Sequence, residues 1–248
     1  MNSKESNGIF LIIFHINIRY KGYFLKEYGS WSVLTVAFLI GLGVSRAFPW
    51  QAVPLYAALG LLINSKQAYM KWTRQPSVRR HLAVLLGQIG AASLILLPLF
   101  AGNMPQVLPL LIFPAAYLLM NRFAGEHHVL TELLGFAILS LAAVLARFLV
   151  VEGVDVRLFV ATALYFTAGV FKVKAVLLKK TRDRVLTVLY VLFALYAYQR
   201  FHIASIVLLP LTENIVMAFT LYRVRLQTTG WIEVAKSLAF LALMVLYF

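Results

Sequence analysis

The chain has 248 residues, 62% of them hydrophobic and 13% charged, with a formal net charge of +14 and no cysteine. A soluble domain is about half apolar and about a quarter charged, so that class is excluded. The lack of cysteine excludes disulfides, thiolate nucleophiles and thiolate metal sites.

The apolar residues come in runs of roughly 17–21, enough to cross a hydrocarbon core of ~30 Å as helix. They do not alternate apolar and polar, which argues against a barrel. The composition therefore predicts an all-α polytopic membrane protein. Residues 9–18 form an apolar run of about ten that carries His15 and Asn17 and is too short to span. Residues 1–25 are read as an amino-terminal extension at the membrane interface, and 26–248 as one transmembrane helical domain.

In chain order the expected spans are 30–45, 48–64, 81–100, 104–120, 129–150, 157–178, 185–198, 203–222 and 231–248. A basic loop, 65–80, follows the second, with Lys66, Lys71, Arg74, Arg79 and Arg80. Lys172 and Lys174 fall in the last turns of the sixth span, where long side chains can snorkel. Prolines 54, 98, 109, 114 and 210 fall within spans and are expected to kink them. With the amino terminus inside, eighteen basic residues lie on inner segments, and four, Arg46, Arg147, Arg157 and Arg200, on outer links. That asymmetry follows the positive-inside rule and predicts a multi-pass inner-membrane protein with a cytoplasmic amino terminus. It also accounts for the net charge by topology and anionic lipid, so no nucleic-acid partner is expected.

Charges inside spans cost at least ~2.5 kcal/mol at mid-membrane and are functional candidates by default. Glu27, Glu132 and Glu233 each stand at the inner start of a span, near Gly29, Gly135 and Gly230. Each has two readings, a helix-dipole partner in a first turn or one of a ring of acids at a cavity mouth. Glu213, beside Asn214 and after Pro210, lies about nine residues into the eighth span, ~13 Å deep. Lys236 is its best-placed partner; a neutral carboxyl bonded between helices is the other reading. Glu126, His127 and His128 read as a solvated loop, because adjacent histidines on a helix diverge. No metal site and no cofactor are expected, since no Walker loop, HExxH or nucleophile elbow occurs.

Lys26-Glu27-Tyr28-Gly29-Ser30-Trp31-Ser32, Thr131-Glu132-Leu133-Leu134-Gly135 and Thr229-Gly230-Trp231-Ile232-Glu233-Val234-Ala235-Lys236-Ser237 carry a resemblance to the YwiC-like family of bacterial membrane proteins. Tyr28 stands where that family usually has His, and Ser30 where it has Ala. The resemblance implies no particular chemistry. The nine-span plan, as two four-helix units plus a ninth helix with large basic inner links, also resembles the UbiA superfamily of prenyltransferases. That superfamily places Asp-rich, magnesium-holding motifs in those links. Here the first link has no Asp and the second only Asp183, so magnesium-dependent prenyl transfer is disfavoured.

The function expected is binding or processing of an anionic lipid, an isoprenoid or a phospholipid, in a cavity open to the cytoplasm. Whether the protein is an enzyme is left open. Glu27, Trp31, Glu132, Glu213, Asn214, Glu233 and Lys236 are the ligand candidates. Arg74, Arg79, Arg80, Lys180, Arg182 and Arg184 are the candidates for an anionic headgroup. The alternatives are a proton-coupled small-molecule transporter and a membrane scaffold or assembly factor.

Overall fold

The structure is a computed structural model that describes residues 23, 25, 27–220 and 226–248; the side chains of 226 and 227 are also left aside. Lys26, Arg223, Arg225 and most of the expected extension fall outside the described residues.

The described chain is helical throughout. The helices are α1 (Tyr28–Ser45), α2 (Ala52–Arg74), α3 (Arg79–Phe100), α4 (Met104–Val107), α5 (Ile112–Ala124), α6 (Val129–Val151), α7 (Val156–Leu178), α8 (Thr181–Arg200), α9 (Thr212–Thr220) and α10 (Leu226–Tyr247). Three 3₁₀ segments intervene, Ala101–Asn103, Leu108–Leu111 and Ser205–Leu211. Among the described residues, five stretches are long and apolar enough to cross a membrane: Tyr28–Ser45, Arg79–Ala124, Val129–Val151, Val156–Leu178 and Thr228–Tyr247. The protein is therefore an all-α, multi-pass membrane protein.

The ends of these helices follow from local chemistry. Asp155 caps α7 by accepting the Leu158 amide at 3.0 Å, and the His128 ring caps α6 by accepting the Leu130 amide. Arg46, Glu152, Lys179 and His202 close their helices in the left-handed region, the conformation that stops a helix and that glycine more often supplies. Pro54 and Pro114 sit in first turns, where no amide donor is needed. Pro109 and Pro210 lie in 3₁₀ segments, which leaves Pro98 as the proline inside a regular helix. The expected basic loop 65–80 is mostly helix: α2 runs on to Arg74, and the break is confined to 75–78.

The chain divides into two compact units. The first comprises residues 1–28 and 53–99. Its core gathers Tyr23, Ala68 and Leu85, with Tyr69, Trp72, Leu82 and Val84 against them. The Tyr23 hydroxyl meets His81 Nδ1 at 2.6 Å, and Asn64 accepts the Leu25 amide at 2.9 Å. The tail of the expected extension is thus packed into a core.

The second unit comprises 29–52 and 100–248. Gly41 lets α1 approach α6 so closely that a Cβ there would collide with the Ala143 carbonyl, and Gly43 does the same against Val245 of α10. Such small-residue contacts are how helices associate in lipid. Interhelical hydrogen bonds reinforce them: Tyr198 of α8 donates to the Ala161 carbonyl of α7 at 2.8 Å, and Tyr190 to that of Leu164 at 3.0 Å. Gly29 and Gly230 have no described atom within 4 Å of a Cβ, and Gly135 has only an ordinary contact.

Candidate functional site

The second unit holds a cluster of opposite charges inside its helices. Helix α7 presents Ala161, Tyr165, Ala168, Lys172 and Ala175 on one buried stripe at intervals of four and three residues. Lys172 therefore points inward, with its side chain 4% exposed. It does not snorkel; the stripe carries it into the bundle, where burial requires an ion-pair partner.

Two carboxylates supply it. Lys172 Nζ donates to Glu213 Oε1 and Oε2 at 2.8 and 2.6 Å, and to Glu233 Oε1 at 2.5 Å. Lys236, 9% exposed, donates to Glu213 Oε2 at 2.8 Å, to Asn214 Oδ1 at 2.5 Å and to Glu233 Oε1 at 3.2 Å. Three helices thus contribute: α7 gives Lys172, α9 gives Glu213 and Asn214, and α10 gives Glu233 and Lys236. Among the described residues two ammonium groups face two carboxylates, and Asn214 accepts from Lys236 as well.

The cluster sits at one level. Lys172 and Lys236 each meet both carboxylates, which fixes that level, and Lys172 lies six residues, ~9 Å, inside the Leu178 end of α7. Glu233 is 44% exposed and Glu213 21%, so the cluster opens on the Glu233 side. Its inner wall is aromatic: Tyr165 stacks on Phe240 with centroids 3.6 Å apart, and Phe166 meets both edge-on.

Glu213 sits at a change in helix type. Ser205–Leu211 is a seven-residue 3₁₀ stretch, longer than the three or four residues usual for that geometry. It passes into α9 at Thr212, so Glu213 and Asn214 occupy the first turn of an α-helix. An unbroken eighth span would leave Glu213 far from a helix terminus; the 3₁₀ segment supplies one within it.

The remaining candidates are dispersed. Glu132, in the first turn of α6, pairs with Lys174 at 3.0 Å, both partly exposed. Glu27 belongs to the first unit, precedes α1, and pairs with Lys66 at 3.1 Å. Of the three acids expected at span starts, only Glu132 occupies a first turn, because α10 already begins at Leu226. Trp31 is half-buried in α1, its carbonyl accepting from Thr35. Arg74 and Arg79 are exposed in the first unit, and Arg80 lies over the Tyr23 ring. Lys180 and Arg182 are exposed in the second unit. Arg184 donates to the Ala218 and Phe219 carbonyls and so ties down the last turn of α9.

The structure therefore brings together Glu213, Asn214, Glu233 and Lys236, and adds Lys172, which sequence reasoning missed. The missed signal was the stripe: Lys172 follows Ala161, Tyr165 and Ala168 at helical spacing, whereas Lys174 lies off it.

No curated protein and no solved structure matches the chain. The family model described as YwiC-like protein matches residues 25–147, about half of the chain. The match takes in the entry motif around Glu27 and Trp31 and the Thr131–Gly135 motif. It ends before Lys172, Glu213 and Glu233, so the charged cluster lies in the part beyond it. On that match over its first half, the chain belongs to the YwiC-like family.

Proposed function

We propose that this membrane protein binds an anionic, lipid-type molecule at the Lys172–Lys236 pair. The observation that carries the reading is the convergence of two buried ammonium groups at one level, beside an aromatic wall and open on one side. Buried lysines in a membrane helix are costly to maintain and mark binding or conduction sites by default. An anionic headgroup could meet the ammonium groups while its hydrocarbon lies against the helices. In a UbiA-like site that headgroup would meet Asp-bound magnesium; here amines supply the positive charge. The exposed Lys180 and Arg182 would raise the local concentration of anions.

The topology that goes with this reading is nine crossings in a UbiA-like plan, in the inner membrane, with the amino terminus and the charged cluster toward the cytoplasm. The 46-residue stretch Arg79–Ala124 is long enough for two of those crossings.

A second reading, a proton-coupled transporter, is favoured by one observation: the 3₁₀ stretch leads directly into Glu213. Broken helices that carry charged groups are a recurring feature of transport sites.

The test is lipid analysis of protein purified from native membranes in a mild detergent. Wild type should retain anionic lipid that Lys172→Met with Lys236→Met loses. Equal retention by both removes the binding reading. Counterflow that survives Glu213→Gln in vesicles removes the transporter reading, and intact cellular function in all of these variants would point to a scaffold.

A further inference from the structure

We infer that Glu233 is a displaceable internal ligand, holding the place that a singly charged oxyanion headgroup takes when it binds. The inference rests on the anion-site reading above and adds how that site is kept closed.

The four charged groups are not equivalent. Glu213 is mostly buried and chelated, with two bonds from Lys172 and one from Lys236. Glu233 also receives one bond from Lys172 and two longer ones from Lys236, at 3.2 and 3.4 Å, yet it is twice as exposed, 44% against 21%. It sits on the same helix as Lys236, three residues away. A rotamer change at Glu233 alone therefore carries its carboxylate out to the open side without moving a helix. The Glu213 carboxylate is the less exposed of the two and is bonded at short range through both oxygens.

Charge counting then selects the ligand. With Glu233 withdrawn the site loses one negative charge beside Lys172 and Lys236. One anionic charge from a ligand restores what Glu233 supplied. A fatty carboxylate or a phosphodiester meets that condition; a phosphate monoester dianion leaves an uncompensated buried charge, which is costly.

Tyr165 supplies a further donor. Its side chain is 4% exposed, and it feels the charges of both Glu213 and Glu233. Among the described residues its hydroxyl has no hydrogen-bond partner, whereas Tyr190 and Tyr198 each bond a carbonyl. An oxyanion held by Lys172 and Lys236 would give this hydroxyl an acceptor.

The experiment uses the full chain in a neutral maltoside detergent, with binding read by native mass spectrometry. Lysophosphatidylglycerol is the probe, glycerophosphoglycerol (the same phosphodiester without the acyl chain) tests the free headgroup, and lysophosphatidylcholine is the neutral control. Glu233→Gln should bind lysophosphatidylglycerol about tenfold or more tighter than wild type, because the competing carboxylate is gone. Glu233→Asp, one methylene shorter, should fall between them and serves if the Gln variant folds poorly. Tyr165→Phe should weaken binding severalfold in either background while leaving the melting temperature unchanged. If neither Glu233 variant binds tighter while Lys172→Met abolishes binding, displacement is overturned and the anion site stands. If Lys172→Met and Lys236→Met bind as wild type does, the anion site falls and the inference with it. Preference for glycerophosphoglycerol over the lipid would overturn the lipid class.

Discussion

Lys172 and Lys174 are two residues apart on α7 and carry the same charge, yet their surroundings separate them. Lys172 is sealed in the bundle between two carboxylates; Lys174 lies at the edge against Glu132, with both partners about a quarter exposed. Removing one partner of a buried pair strands the other charge and costs about 3–5 kcal/mol. An exposed pair is worth about 1 kcal/mol at most. Lys172→Met should therefore lower the thermal midpoint in detergent by many degrees, and Lys174→Met by little. Equal shifts would mean that Lys172 reaches water in the native state. The sequence alone made the two lysines look alike because both fall near the end of an apolar run. What distinguishes them is helical phase, set by Ala161, Tyr165 and Ala168. Glu213 was legible, since an acid deep in an apolar run must find a partner, and Lys236 was visible as that partner. Lys172 was visible only once the inward face of α7 was fixed.

At the scale of elements, the apolar runs gave the helices but not their joints. The first, third, fifth and sixth expected spans match α1, α3, α6 and α7 within a few residues. Residues 65–74 looked like loop because they are basic, but a helix can leave the membrane and continue in water, so charge marks the boundary of the bilayer rather than of the helix. The 3₁₀ stretch Ser205–Leu211 was hidden, since Pro210 is compatible with a kinked α-helix too. The close-packing glycines Gly41 and Gly43 were hidden for a related reason: composition shows where a small residue is, and only packing shows whether a neighbour fills the space. A paired substitution tests that packing. Gly41→Ala places a methyl against the Ala143 carbonyl and 2.9 Å from the Ala146 Cβ. Overpacking of this kind costs about 1–3 kcal/mol, and α1 must shift from α6 to relieve it. Gly87→Ala in α3 meets no described atom within 4 Å and replaces a poor helix former by the best, a gain of up to ~1 kcal/mol. Thermal unfolding of the two variants should move in opposite directions; a loss at both would show that Gly87 faces a neighbour.

For the whole molecule the number of bilayer crossings turns on one stretch, Arg79–Ala124. It is 46 residues of continuous apolar helix and turn, about twice what one crossing needs. The backbone leaves helical geometry at Phe100 and again at Asn103, which is where two antiparallel crossings would turn. Nine crossings then put the exposed positions Ser77 and Thr181 on the inner side, and Phe48, Gly102 and Glu152 on the outer side. The chain has no cysteine, so single cysteines at these five positions can be read with a membrane-impermeant maleimide against no background. Gly102 is the informative one, and a side chain there meets no described atom within 4 Å. Intact cells should label Phe48→Cys, Gly102→Cys and Glu152→Cys, and inverted vesicles Ser77→Cys and Thr181→Cys. If Gly102→Cys labels with the inner pair, 79–124 does not cross twice. The crossings after it would then be reassigned, and the basic residues of 122 and 172–184 would leave the side that the positive-inside rule requires. Such a result would also move the open side of the lysine–glutamate cluster, and with it the leaflet from which a lipid could enter.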